Sequence, residues 1–139
     1  MKSKVLIGGL IGGVAFFLLG WLIYGILLAD YRKENCDQAS SRSMEEYVWW
    51  ALIGSNLVWG YFLALILSWT NTSDMSSGLQ KGVVVGLLTA LAIDLSLYSM
   101  TTMFLSVTSM IVDVAATTIM VAIGGGLIGW YMGMANKEA

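Results

Sequence analysis

The chain has 139 residues, of which 58% are apolar and 12% charged, with one cysteine, no histidine and a net charge of −2. No run of basic residues approaches a nucleic-acid-binding patch. A lone cysteine excludes an internal disulfide, and the lack of histidine excludes imidazole-ligated metal sites within the chain. We therefore expect no metal, no cofactor and no nucleic-acid partner.

Four long apolar segments follow one another along the chain, and each reaches the roughly 20 residues that a helix needs to cross a bilayer. They lie at about 5–29, 47–69, 79–104 and 107–134. Continuous rather than alternating hydrophobicity disfavours strands. The prediction is an all-α protein: a four-transmembrane-helix bundle of two antiparallel hairpins. The whole chain, 1–139, then forms a single integral membrane domain with no soluble domain.

The first segment is rich in glycine and ends in aromatic residues. On a helix, one face would carry four residues in line, Gly9, Gly13, Gly20 and Tyr24. Gly8 and Gly12 form a second groove beside that face, and small residues of this kind let membrane helices approach closely. The apolar run is longer than the roughly 7–15 residues of a signal-peptide core, so we expect it to be retained as a membrane helix.

A polar connection, residues 30–46, leads to the second segment. That segment opens with Tyr47, Trp49 and Trp50, aromatic residues typical of the headgroup level of a membrane. Every fourth residue within it is small or polar, in the series Asn56, Gly60, Ala64 and Ser68. This ridge predicts close contact with a neighbouring helix.

An aspartate lies inside each of the last two apolar segments, on the same ridge as the smallest residues. The third segment reads Gly82, Gly86, Ala90, Asp94 and Tyr98 at every fourth position, and the fourth reads Asp113, Thr117, Val121, Gly125, Gly129 and Gly133. A carboxylate at the centre of a membrane helix costs about 2.5–3.5 kcal/mol on insertion scales. Both acids should therefore face neighbouring helices rather than lipid.

The two acids are nearly symmetric about residues 103 and 104, where the hairpin is expected to turn. Residues equally far from a hairpin turn lie at similar depth, and Asn56 lies about as far from the start of its own segment. We therefore predict one polar layer and a possible proton or cation site made of Asp94, Asp113, Asn56, Tyr98, Ser55 and Thr117. Burial and mutual repulsion favour protonation of at least one of the acids.

Two functions are compatible with this layer. The first is a structural or accessory membrane subunit in which the protonated acids act as hydrogen-bonding glue between helices. The second is a small proton- or cation-linked transporter or channel that uses Asp94 and Asp113. Enzymatic activity is not expected: intramembrane aspartyl proteases carry Tyr-Asp and Gly-x-Gly-Asp motifs, whereas Ile93 and Val112 precede the acids of this chain.

The abundance of glycine also predicts self-association or docking on a larger membrane complex. One bundle would bury only some of the glycine grooves, and the remainder would accept another helix. The residues expected to pack helices together are Gly9, Gly13, Gly20, Gly60, Gly82, Gly86, Gly125, Gly129 and Gly133.

The stretch from Phe17 to Gly25 resembles the first helix of an uncharacterised bacterial family of small four-helix integral membrane proteins, known only as a domain of unknown function. Asn56-Leu57, the stretch from Gly60 to Ala64, and Asp113 with the closing glycines are similar too. The resemblance implies a location in the bacterial inner (cytoplasmic) membrane and no particular activity. The lysines of the N-terminal tail predict that both termini lie in the cytoplasm.

Overall fold

The computed structural model describes residues 2–39, 42 and 44–138, and these contain helices and no strand. The helices are α1 (Lys2–Leu22), α2 (Ala29–Asn35), α3 (Trp49–Trp69), α4 (Met75–Met100) and α5 (Val107–Glu138). A π-helical turn, Ile23–Leu27, extends α1, and a 3₁₀ turn, Met44–Glu46, precedes α3. The all-helical prediction is therefore confirmed for the described residues.

Four of these segments are long and apolar enough to cross a membrane, namely Ser3–Leu27, Trp49–Trp69, Met75–Met100 and Val107–Lys137. The four predicted segments are thus confirmed, with one pair of boundaries displaced. The third begins at Met75 because Asp74 caps it, its Oδ1 accepting a hydrogen bond from the Ser77 N–H at 2.7 Å. It ends at Met100 and α5 begins at Val107, so the hairpin turn is centred at residues 103 and 104, as predicted.

α1 and α3 lie in antiparallel contact at their glycines. A Cβ atom added to Gly9 would lie 2.9 Å from the Cα of Tyr61, and one added to Gly13 would lie 2.9 Å from the Cα of Leu57. Gly60 of α3 faces the backbone of both α1 glycines, with no room for a side chain between them. Backbone-to-backbone packing of this kind is the close approach that small residues permit.

α4 and α5 form a second antiparallel contact with the same chemistry. A Cβ atom added to Gly82 would lie 2.9 Å from the Cα of Ala122, and one added to Gly86 would lie 3.1 Å from the Cα of Thr118. Towards the start of α4, Gly78 faces the backbone carbonyl of Gly125. The predicted small-residue ridges of both segments therefore face one another.

The glycine grooves are filled within the chain. Along α5, Gly129 lies against the carbonyl of Asp74, and Gly133 lies against that of Ser73. On α1, the second groove is occupied by Ile128 of α5, whose Cδ1 would be 2.7 Å from a Cβ added to Gly12. Gly20 is the exception, since only Met120 Cε, at 3.8 Å, lies within 4 Å of an added Cβ atom. Self-association stays a prediction.

The half of the molecule near the termini contains an apolar core contributed by three helices. Leu67, Ile128 and Met132 have no exposed surface, and Leu63 is 1% exposed. The complete cluster is Val5, Phe16, Leu63, Ala64, Leu67, Val121, Ile128 and Met132. This half therefore contains tightly packed hydrocarbon and glycine backbone.

At the opposite end, the first connection pairs with the turn between α4 and α5. The Asp37 N–H donates to the Met103 carbonyl at 2.8 Å, and the Leu105 N–H donates to the Asn35 carbonyl at 3.1 Å. The Thr102 hydroxyl donates to Asp37 Oδ2 at 2.9 Å. Hydrogen bonds from the Ala39 N–H and from that hydroxyl lower the pKa of Asp37, so the carboxylate stays ionised at neutral pH.

Candidate functional site: a carboxyl pair reached through Tyr24

Asp94 and Asp113 meet at the α4–α5 interface. Asp94 continues the buried ridge of α4 and is 5% exposed, while Asp113 is half-buried on α5. Their carboxyl groups are neighbours at this interface. The glycines two or more turns along the same interface allow this approach, because they bring the two backbones together.

One oxygen of the pair is buried without a hydrogen-bond partner among the described residues. That atom is Asp94 Oδ2. An ionised carboxylate only accepts hydrogen bonds, so two neighbouring carboxyl groups can bond to one another only when one of them is protonated. A buried polar atom without a partner is costly. A single proton shared by the pair would give this oxygen a partner.

Tyr24 connects this pair to α1. Its hydroxyl lies 3.0 Å from the Oγ1 of Thr117, one turn from Asp113 on α5, and it also faces the Asp113 carboxyl. Tyr24 stands in the π-helical turn, where the Leu28 N–H bonds the Ile23 carbonyl at 2.7 Å. A π turn adds one residue to a helical turn and redirects the side chains after it, and such turns are frequent at functional sites.

Arg32 of α2 contacts Tyr24 from the first connection. Its guanidinium carbon lies 5.0 Å from the centroid of the Tyr24 ring, a cation–π arrangement. Neither Arg32 nor Tyr24 was included in the predicted site. For Tyr24 a signal was present, since its hydroxyl shares a face with the glycines of the first segment. For Arg32 there was none, because the path of the first connection is not readable from the sequence.

Apolar side chains block the direct path from Asp94 and Asp113 to the first connection and the hairpin turn. Leu97 and Met110 lie about one turn beyond the acids, and they pack against Cys36 and Phe104. Cys36 and Phe104 also form an antiparallel bridge that holds the first connection over the hairpin turn. Polar groups therefore lead from the acids sideways, through Tyr24, rather than straight out along the hairpin.

Tyr24 borders a cleft of about 400 Å³ between α1, α3 and the first connection. The described residues that line it are mostly aromatic, glycine or aliphatic. The polar groups among them are the hydroxyls of Tyr24 and Tyr47 and the side chains of Arg32, Ser55 and Asn56. The carboxyl pair thus lies behind a tyrosine whose other side faces this cleft.

Asn56 lies at a different level along the helices from the two acids. The backbone carbonyl of Asn56 lies 3.2 Å from a Cβ atom added to Gly13 of α1. Phe16, about one turn further along α1, meets Gly124 of α5. With a rise of 1.5 Å per residue, Gly124 and Asp113 are about 16 Å apart along the α5 axis. Asn56 therefore lies much nearer the centre of the molecule than the acids do.

Ser55 and Tyr98 are not brought to the carboxyl pair either. The Ser55 hydroxyl and the Asn56 amide both donate to the Leu52 carbonyl, at 3.0 and 2.9 Å, so they bond their own helix. Tyr98 is 40% exposed, because the buried ridge of α4 ends at Asp94. Of the predicted residues, the structure groups Asp94, Asp113 and Thr117.

The remaining oxygen set is small for a metal or alkali cation. No group of three histidine, cysteine, aspartate or glutamate residues that could hold a metal occurs among the described residues. Two carboxyl groups, one phenol and one threonine hydroxyl are close together, whereas Asn56 and Ser55 lie elsewhere. Calcium takes six to eight oxygen ligands. The arrangement fits a proton better than a cation.

Comparisons with protein-family models, with curated protein sequences and with solved structures find no match to this chain. The site is therefore interpreted from its own geometry and chemistry.

Proposed function

We propose that the protein is an integral membrane protein that spans the bilayer four times as a helix bundle, in which Asp94 and Asp113 bind and release a proton. In this proposal Tyr24 relays the proton between the carboxyl pair and the cleft, and the protein acts as a proton-linked membrane component without enzymatic activity. Intramembrane acids commonly belong to proton relays in pumps and transporters.

The observation that carries the proposal is the buried Asp94 Oδ2, which lacks a donor although a second carboxyl group lies beside it. A carboxyl pair that only holds two helices together needs no connection to solvent. Here the Tyr24 hydroxyl faces Asp113 on one side, and the tyrosine ring borders the cleft on the other. Between the carboxyl pair and the cleft stand the Thr117 hydroxyl, the Tyr24 hydroxyl bonded to it, and Arg32 over the tyrosine ring.

Infrared difference spectroscopy across a pH series tests proton binding in the protein reconstituted into vesicles. We expect a carbonyl band of a protonated, buried carboxyl group that changes with pH, because one proton is exchanged by the pair. Asp94→Asn and Asp113→Asn should each remove or shift this band. A pH-independent band, or no band, would show that the pair does not exchange a proton.

A pair of tyrosine substitutions distinguishes loss of the proton relay from a general loss of structure. Tyr24→Phe should slow exchange at the pair severalfold, since it removes the hydroxyl between Asp113 and the cleft while keeping the ring under Arg32. Tyr98→Phe changes the same chemistry at an exposed position of α4 and should leave exchange unaffected. Equal effects of the two substitutions would contradict the relay.

A structural or accessory subunit is the second candidate, and the apolar core supports it. In the half near the termini, the side chains of Leu67, Ile128 and Met132 are fully buried in an apolar cluster. An open channel needs a path to both faces, whereas a subunit needs none. Under this alternative, Asp94→Asn together with Asp113→Asn would be tolerated without loss of function in the membrane.

The proposed location is the bacterial inner membrane with both termini cytoplasmic. Cys36 is 5% exposed and is therefore a poor reporter of orientation. A Cys36→Ala chain carrying Ala39→Cys offers an exposed thiol in the same connection. A membrane-impermeant maleimide should label it in intact cells and should reach Lys137→Cys only after lysis. The reverse pattern would place the termini outside.

A further inference from the structure

We propose that the cleft between α1 and α3 binds an anionic phospholipid, with its headgroup at Arg32 and one acyl chain along the aromatic wall. Arg32 is the one charged side chain among the described residues that line the cleft. A single fixed cation beside an apolar wall is complementary to a molecule with an anionic head and a hydrocarbon tail. The inference does not depend on the proton site, since it concerns binding to the cleft alone.

The cleft has a polar end and an apolar end. Arg32 and Trp49 stand near the first connection, and Phe16 and Trp59 line the wall further along α1 and α3. Trp49 and Trp59 are about 15 Å apart along α3 at a rise of 1.5 Å per residue. A cleft of this shape runs parallel to the helices, which is the direction of an acyl chain in a bilayer.

The aromatic side chains place the polar end at the membrane surface. Tyr47 and Trp49 form an edge-to-face pair with ring centroids 5.6 Å apart, and Trp49 also lies 6.5 Å from Phe17. Tryptophan and tyrosine are enriched at the headgroup level. A phosphate at this level would meet the guanidinium of Arg32, whose planar donors suit phosphate oxygens. The aromatic rings alone would suit an organic cation, but Arg32 would repel one.

Lipid retention measured by native mass spectrometry tests the proposal. The protein is reconstituted into phosphatidylcholine vesicles that contain a minor share of phosphatidylglycerol, and is then released in mild detergent. We expect preferential retention of phosphatidylglycerol, and Arg32→Gln should weaken it at least about tenfold, as for loss of a charge-assisted contact. Lys33→Gln removes the same charge from an exposed neighbour outside the cleft and should leave retention unchanged.

A second pair of variants tests the chain-binding wall independently of charge. A Cβ at Gly20 would have Met120 Cε as its nearest neighbour at 3.8 Å, so Gly20→Leu should fill the cleft and abolish retention. Gly54 has nothing within 4 Å and does not line the cleft, so Gly54→Leu should retain the lipid. Three results would each overturn the proposal. The protein could retain phosphatidylcholine as well as phosphatidylglycerol, or Arg32→Gln and Lys33→Gln could lose the same amount of lipid. The third is unchanged retention in Gly20→Leu.

Discussion

Gly60→Ala is expected to lower the free energy of unfolding by about 3 kcal/mol, the upper part of the range for overpacking a well-packed core. The added methyl group would meet the Gly9 carbonyl and the Gly13 nitrogen, which are backbone atoms that cannot rotate away. α1 and α3 would have to separate, and the packing of Tyr61 and Leu57 against α1 would be lost with them. Reversible unfolding in mixed micelles of increasing denaturing detergent measures the change.

Gly54→Ala is the matched control on the same helix. Because nothing lies within 4 Å of a Cβ at Gly54, the substitution meets no neighbour. Alanine is favoured over glycine in a helix by about 0.5–1 kcal/mol, so this variant should be as stable as the unmodified protein or slightly more so. If both substitutions changed stability equally, the α1–α3 contact would not have the described geometry.

Gly125→Ala is expected to have the second large effect, again about 3 kcal/mol of lost unfolding free energy. A Cβ there would meet the Gly78 carbonyl oxygen and would lie 3.1 Å from the Cα of Gly82. The substitution forces α4 and α5 apart, which also pulls Asp94 away from Asp113. We therefore expect it to change the carboxyl infrared band as well as the stability.

The neighbouring Gly126→Ala provides the control, since its nearest atoms would be Leu79 Cβ and Met75 Cγ, both at an ordinary 3.6 Å. It should be neutral or slightly stabilising.

The pair of variants also distinguishes packing within the chain from packing between copies. Because α4 occupies the space beside Gly125, the loss of stability in Gly125→Ala should be independent of protein concentration. A loss that appears only as dissociation of an oligomer, with the single chain unchanged, would contradict this.

Local patterns in the sequence were sufficient for the four apolar helices and for the side of each helix that is buried. A helix repeats every 3.6 residues, so Gly82, Gly86, Ala90 and Asp94 fall on one ridge whatever the partner is. A carboxyl group placed on that ridge must face the same neighbour as the glycines do. The meeting of Asp94 with Asp113 follows from the same ridge, because a short hairpin constrains the relative depth of its two helices.

The position of Asn56 was decided by tertiary packing. Gly60 fits only where the backbones of Gly9 and Gly13 leave space for it, and this contact sets the register of α3 against α1. Depth counted from the start of each segment assumes that all segments begin at one plane, whereas α4 and α5 extend beyond the start of α3. No local pattern reports that offset.

The approach of Tyr24 and Arg32 to the carboxyl pair was likewise decided only by the tertiary structure. Tyr24 lies in the π-helical turn Ile23–Leu27 and meets Thr117 of α5. The bridge between Cys36 and Phe104 holds the first connection where Arg32 reaches the tyrosine ring. The sequence by itself determined which side chains are confined to helix interfaces, because the periodicity and the cost of polar groups in lipid are local properties. Which of them meet depends on helix register and on the path of the connections, and both result from packing between distant parts of the chain.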